Sequence, residues 1–109
     1  MRKIEQQMIS AVQDCKNWRN SNTEVLYSPS RQVSCVYLHK NLIATISKDA
    51  LEIYDGGWQS VTTKSRLNAL INGLCDGTMF GVFQRDFDWY IKDGVITQEF
   101  EHGYTFPRD

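Results

Sequence analysis

The chain has 109 residues, of which 41% are hydrophobic and 12% aromatic, and its net charge is −1. That is the length of one domain, with enough apolar material for a core and too little net charge for a disordered chain or a strongly cationic nucleic-acid binder. No apolar run approaches the roughly 20 residues that span a bilayer, and residues 1–7 lack the apolar stretch of a signal peptide, so neither insertion nor secretion is expected.

Residues 2–19 read as an amphipathic helix. Ile4, Met8, Ala11, Val12 and Cys15 recur at steps of three and four, and Trp18 extends the stripe. Glu5, Gln6, Ser10, Gln13 and Asp14 fall outside it. The run Asn20, Ser21, Asn22, Thr23 then favours a turn.

The period changes to two over residues 24–54. Val25 and Tyr27 open a strand that stops at Ser28, Pro29 and Ser30. Val33, Cys35 and Tyr37 alternate with Ser34, Val36 and Leu38. His39, Lys40 and Asn41 link this strand to residues 42–46. Lys48 and Asp49 turn the chain into a strand containing Leu51, Ile53 and Tyr54. Links this short require antiparallel neighbours, because parallel pairing needs a long crossover.

A second helix is expected near 63–75, capped by Thr62 or Thr63 and burying Leu67, Leu70, Ile71 and Leu74. Residues 80–83 return to strand. Residues 88–92 and 95–100 form a hairpin across Asp93 and Gly94, which supply the backbone angles of a two-residue turn. Tyr104 and Phe106 add a short edge before Pro107. The whole reads as a single α+β domain over residues 1–109, in the order α-β-β-β-β-α-β-β. The expected packing is a mainly antiparallel sheet, a meander plus a C-terminal hairpin, with two helices on its apolar face.

Cys15, Cys35 and Cys75 are odd in number and form no C-x-x-C pair, so we expect three small core thiols in a reducing cytoplasm, with no disulfide framework, metal or cofactor. His39 and His102 are the only histidines. Cys35 and His39 are too far apart along a strand to suggest a nucleophile pair. Asp86 and Asp88 flank Phe87 and could share a face, as paired acid and base groups do. The same residues suit a solvated turn, as do Glu99 and Glu101. No phosphate-loop, dinucleotide-loop or hydrolase motif is present, and no catalytic residue is assigned.

The most distinctive stretch is residues 55–68. Gly56 and Gly57 free the backbone, Trp58 follows, and a helix then begins with Thr63, Lys64, Ser65, Arg66 and Asn68 close to its start. Free N–H groups and the helix dipole favour an anion there. Lys64 and Arg66 would add charge, Ser65 and Asn68 would border the space, and Trp58 could stack on a base. These residues equally suit a structural role, with Thr63 capping, Trp58 in the core, and Lys64 and Arg66 solvated. Charge divides along the chain. Residues 1–75 carry nine Lys/Arg against six Asp/Glu, whereas residues 76–109 carry three against seven.

Several stretches together resemble small proteins of marine podoviruses of the cyanophage and pelagiphage type. They are residues 1–8, Val36-Tyr37-Leu38-His39, Asp55-Gly56-Gly57-Trp58, residues 62–70 and Phe83-Gln84-Arg85. The resemblance implies a phage-encoded product acting in bacterial host cytoplasm, and it brings no assigned activity or functional residue with it. The expected function is a phage-type accessory binding protein, not an enzyme, contacting nucleic acid or its machinery around Trp58 and Lys64. The alternative is a host-takeover protein whose acidic C-terminal hairpin occupies a basic site on a host protein. A homodimer is expected if the sheet keeps a second apolar face.

Overall fold

The computed structural model describes residues 1–109. Helix α1 (Lys3–Gln13) is followed by strands β1 (Trp18–Asn20), β2 (Thr23–Ser28), β3 (Val33–Leu38), β4 (Asn41–Ile46) and β5 (Ala50–Ile53). Helix α2 (Val61–Leu74) precedes β6 (Phe80–Arg85), β7 (Asp88–Asp93), β8 (Ile96–Glu99) and β9 (Tyr104–Pro107). The α+β class, the antiparallel pairing and the meander follow the sequence pattern. No helix is long and apolar enough to cross a membrane.

The strands form two sheets where one was expected. Six run in the order β1-β2-β3-β4-β5-β9, and the other three in the order β6-β7-β8. In the larger sheet, alternate residues point inward. Val25, Val36, Leu51, Ile53 and Phe106 are fully buried beneath α1 and α2, joined by Met8, Leu67, Leu70 and Ile71. Register shifts between Val36 and Tyr37 across from β4, and this bulge turns both Ile43 and Ala44 inward. β9 lies beside β5, with Phe106 opposite Leu51. It closes the larger sheet from the far end of the chain.

The β6 edge of the smaller sheet faces helix α2 and not another strand. The Asn68 amide on α2 donates to the Val82 carbonyl and accepts from the Val82 N–H, both at 2.8 Å. One side chain thus satisfies the Val82 backbone pair at the middle of the β6 edge, where another strand would pair. Val82, Trp89 and Ile91 complete the core from this side. The Tyr104 hydroxyl donates to Asp93 and ties the two sheets together. That bond, first, and then burial push the Tyr104 hydroxyl up to about 12.

Helix α1 stops six residues short of the expected end. Cys15 adopts φ +54°, its N–H reaches the Val12 carbonyl, and the Lys16 N–H reaches the Ala11 carbonyl. This is a Schellman turn with cysteine in the position glycine usually takes. Trp18 therefore opens β1 opposite Val25, and its place on the helical stripe was a coincidence of spacing. The thiols also differ from expectation. Cys75 is buried, Cys35 half-buried and Cys15 exposed. Burial, with Asp109 adding to it, pushes the Cys75 thiol up to about 11.

Candidate nucleic-acid interface

Helix α2 is capped by Ser60, not by Thr62 or Thr63. Ser60 Oγ accepts from the Thr63 N–H at 3.0 Å. Thr63 is buried, and its hydroxyl reaches Ser60 Oγ at 2.9 Å and the Trp58 carbonyl at 3.3 Å. The apolar Val61 at the first helical position obscured the cap in the sequence.

The helix start does not gather the expected cations. Arg66 is only 3% exposed, and its guanidinium donates to Glu5 Oε2 at 2.9 Å and to Thr23 Oγ1 at 3.1 Å. Ser65 Oγ donates to the same Glu5 oxygen at 2.6 Å. Glu5 Oε1 accepts the Arg2 N–H at 3.4 Å. Burial works to raise the Glu5 carboxyl, but the bonds from Ser65, Arg66 and Arg2 outweigh it and hold Glu5 below the usual carboxylate range. Arg66, Ser65 and Asn68 are therefore braces inside the molecule: the first two join α2 to α1, and the third joins α2 to β6. Glu5 lies on the buried side of α1, one helical step from Met8 and Ile9, although its charge placed it outside the stripe. That shared position is the signal that could have found the pair. Two opposite charges each sit at core spacing on their own helix.

Trp58 is on the surface, 76% exposed. It borders a cleft of about 390 Å³ together with Thr63, Ser60 and Thr62 from the helix start and His39 and Asn41 from the β3–β4 hairpin. Gly56 lies against that hairpin, where an added Cβ would come within 3.2 Å of Ile43 Cγ2 and 3.3 Å of Asn41 Cβ. At φ +70° a side chain would be strained, and its Cβ would crowd both neighbours, so glycine suits the close approach of loop and hairpin. Asp55 fixes the loop from below. Its Oδ1 accepts the Gly57 N–H at 2.7 Å and His102 Nε2 at 2.8 Å. Burial works to raise Asp55, and the His102 and Gly57 bonds outweigh it, so the carboxyl stays below its ordinary value.

His39 also borders a second depression of about 300 Å³, shared with Lys40, Arg19, Asn22 and Glu24. His39 and Lys40 form the two-residue β3–β4 turn at φ +50° and +67°. Lys40 and Arg19 are both exposed, so the Trp58 cleft opens across His39 onto two cations absent from the sequence reading. Lys64 is half-exposed and does not line the cleft. Asp86 and Asp88 are exposed at the β6–β7 turn, and Cys35 and His39 stand on a strand and its turn with no third partner.

Fold and surface define a small α+β domain with open, polar depressions around an exposed tryptophan. The chain belongs to the Kyanoviridae Gp96 protein family, whose family model matches residues 1–107, and this makes it a small phage protein, as the sequence resemblance implied. No curated protein and no solved structure matches it.

Proposed function

We infer that the protein is a binding module, acting in the bacterial host cytoplasm, that contacts single-stranded nucleic acid through the Trp58 cleft and the depression joined to it at His39. One observation carries the reading: Trp58 stands in water beside hydroxyls at a helix start, with Lys40 and Arg19 across the shared histidine. An exposed indole gives a base a stacking surface, and the cations and hydroxyls suit the phosphates on either side. The work is binding, with no catalytic step assigned to any residue.

Fluorescence anisotropy with labelled single-stranded DNA and RNA tests this directly. Affinity should fall with salt with a slope of about −1 to −2, as two cations release counterions. Trp58→Ala should weaken binding about tenfold, the size of one lost stacking contact. Lys40→Ala should reduce the slope by about one for every sequence alike. No binding to either probe at low salt would overturn the reading.

A further inference from the structure

Phe87 is 92% exposed at the tip of the β6–β7 hairpin. With Asp86 it forms the two-residue loop, at φ +52° for Asp86 and +72° for Phe87. Glycine and asparagine favour this left-handed region, and a bulky ring is an outlier there. Backbone sterics and contact with water both disfavour Phe87 at this place. Asp86 and Asp88 flank it, both exposed. The tip thus presents an aromatic ring between two carboxylates.

The groove between α1 and β1, about 720 Å³, has the complementary chemistry. Trp18 and Ala11 supply its apolar surface, and Lys3, Lys16 and Arg19 border it with Asp14 as the sole carboxylate. Trp18 is half-buried and packed on the core, so its position is fixed. None of the three cations is held in an ion pair. Their aliphatic stems extend the apolar surface around Trp18.

We propose that this groove receives the hairpin tip of a second copy of the chain, with Phe87 against Trp18 and Asp86 and Asp88 facing Lys3 and Lys16. Charge complementarity selects the occupant. The acidic tip belongs to the negatively charged C-terminal third and the groove to the positively charged remainder. Tip and groove are different surfaces, so the contact is head-to-tail and each copy can both give and receive. Arg19 borders both surfaces, but the proposal is carried by Lys3, Lys16 and Phe87, which line neither the Trp58 cleft nor the depression joined to it.

Sedimentation velocity of nucleic-acid-free protein at low and high salt tests it through a charge exchange. The natural chain should show species larger than the monomer, which rise with concentration and recede with salt. One variant carries Asp86→Lys and Asp88→Lys, the other Lys3→Glu and Lys16→Glu. All four positions are exposed, and circular dichroism verifies folding of each variant. Each alone should lose self-association by about tenfold or more. Their mixture should recover it, because the basic tip meets the acidic groove and the acidic tip meets the basic one. Phe87→Ser should disperse the natural chain. A natural chain that stays monomeric at low salt overturns the proposal. So does assembly that survives Phe87→Ser, or a mixture that stays as dispersed as its components.

Discussion

The two sheets meet water differently. The six-stranded sheet has a fully buried inward row beneath two helices, and its edge strand β9 is drawn from the end of the chain. The three-stranded sheet buries Val82, Trp89 and Ile91, while its turns hold Phe87 and Val95 in solvent. It is built from local hairpins, and one asparagine amide blocks its β6 edge. Local stability should follow this division, because short-range pairing with few buried side chains opens at low cost. The larger sheet then anchors the fold, and the smaller one presents side chains that folding does not require.

The largest effect should come from the pair that locks the anchor. Arg66→Ala leaves Glu5 buried without its cation and should destabilise the protein by about 3–5 kcal/mol in urea denaturation. A loss under 1 kcal/mol would mean that the two helices hold the larger sheet without it. The same site sets an acid limit. Folding holds Glu5 below its ordinary value of 4.5. Its charged form therefore stabilises the fold fully above pH 4.5, and that contribution is lost as pH falls through the lowered folded value. Glu5→Gln should flatten the acid unfolding profile in that window, although the variant starts less stable.

Asn68→Ala sharpens the contrast between sheets. It leaves the Val82 N–H and carbonyl without their partner and should cost about 1–3 kcal/mol. The loss should be local. Hydrogen exchange should speed up in β6, β7 and β8, while β3 and β4 keep their protection. Uniform acceleration across both sheets would show that they open as one unit.

The same contrast explains what was legible in the sequence. Residues 23–53 alternate, apart from the bulge at Ile43 and Ala44, because one side of their sheet is core and the other is not. Strand positions there could be read almost to the residue. The end of α1 was hidden because Cys15, not glycine, takes the left-handed position, and Trp18 continued the helical spacing by accident. The second sheet was hidden because the contact that meets its β6 edge is an asparagine side chain fourteen residues away, which leaves no mark in the hydrophobic pattern. In the candidate site, Trp58 and Thr63 both line the cleft, Trp58 exposed and Thr63 buried with its hydroxyl held by Ser60 and the Trp58 carbonyl. Arg66 and Ser65 do not, because both are held by Glu5 on the facing helix, a partner that residue type alone does not reveal. Lys40 and Arg19 were missed because only the folded chain brings the β3–β4 turn and β1 beside the Trp58 loop.

Phe87→Gly should move stability the other way. A glycine adopts the left-handed turn freely, and no buried contact is lost with the ring, so the variant should gain about 0.5–1 kcal/mol. Thermal melting checks this. A loss of stability would show that Phe87 contributes to the folded monomer, and would remove the argument that its position serves an outside contact.

Trp58→Ala should produce the smallest change, within about 0.5 kcal/mol of the natural chain. The indole is mostly in water. The contacts that shape its loop belong to the backbone: the Trp58 N–H reaches the Asp55 carbonyl at 3.3 Å, and the Trp58 carbonyl accepts the Ser60 N–H at 3.0 Å. Alanine keeps both, and Thr63 still finds the same carbonyl. Removing the ring therefore deletes a surface and leaves the loop intact. Urea denaturation followed by far-ultraviolet circular dichroism measures this without using tryptophan fluorescence, which the substitution itself changes. A cost near that of a core tryptophan, about 3–5 kcal/mol, would place the indole in the packing of the larger sheet. The Trp58 cleft would then belong to the anchor, and the proposed contact with nucleic acid would lose the residue that carries it.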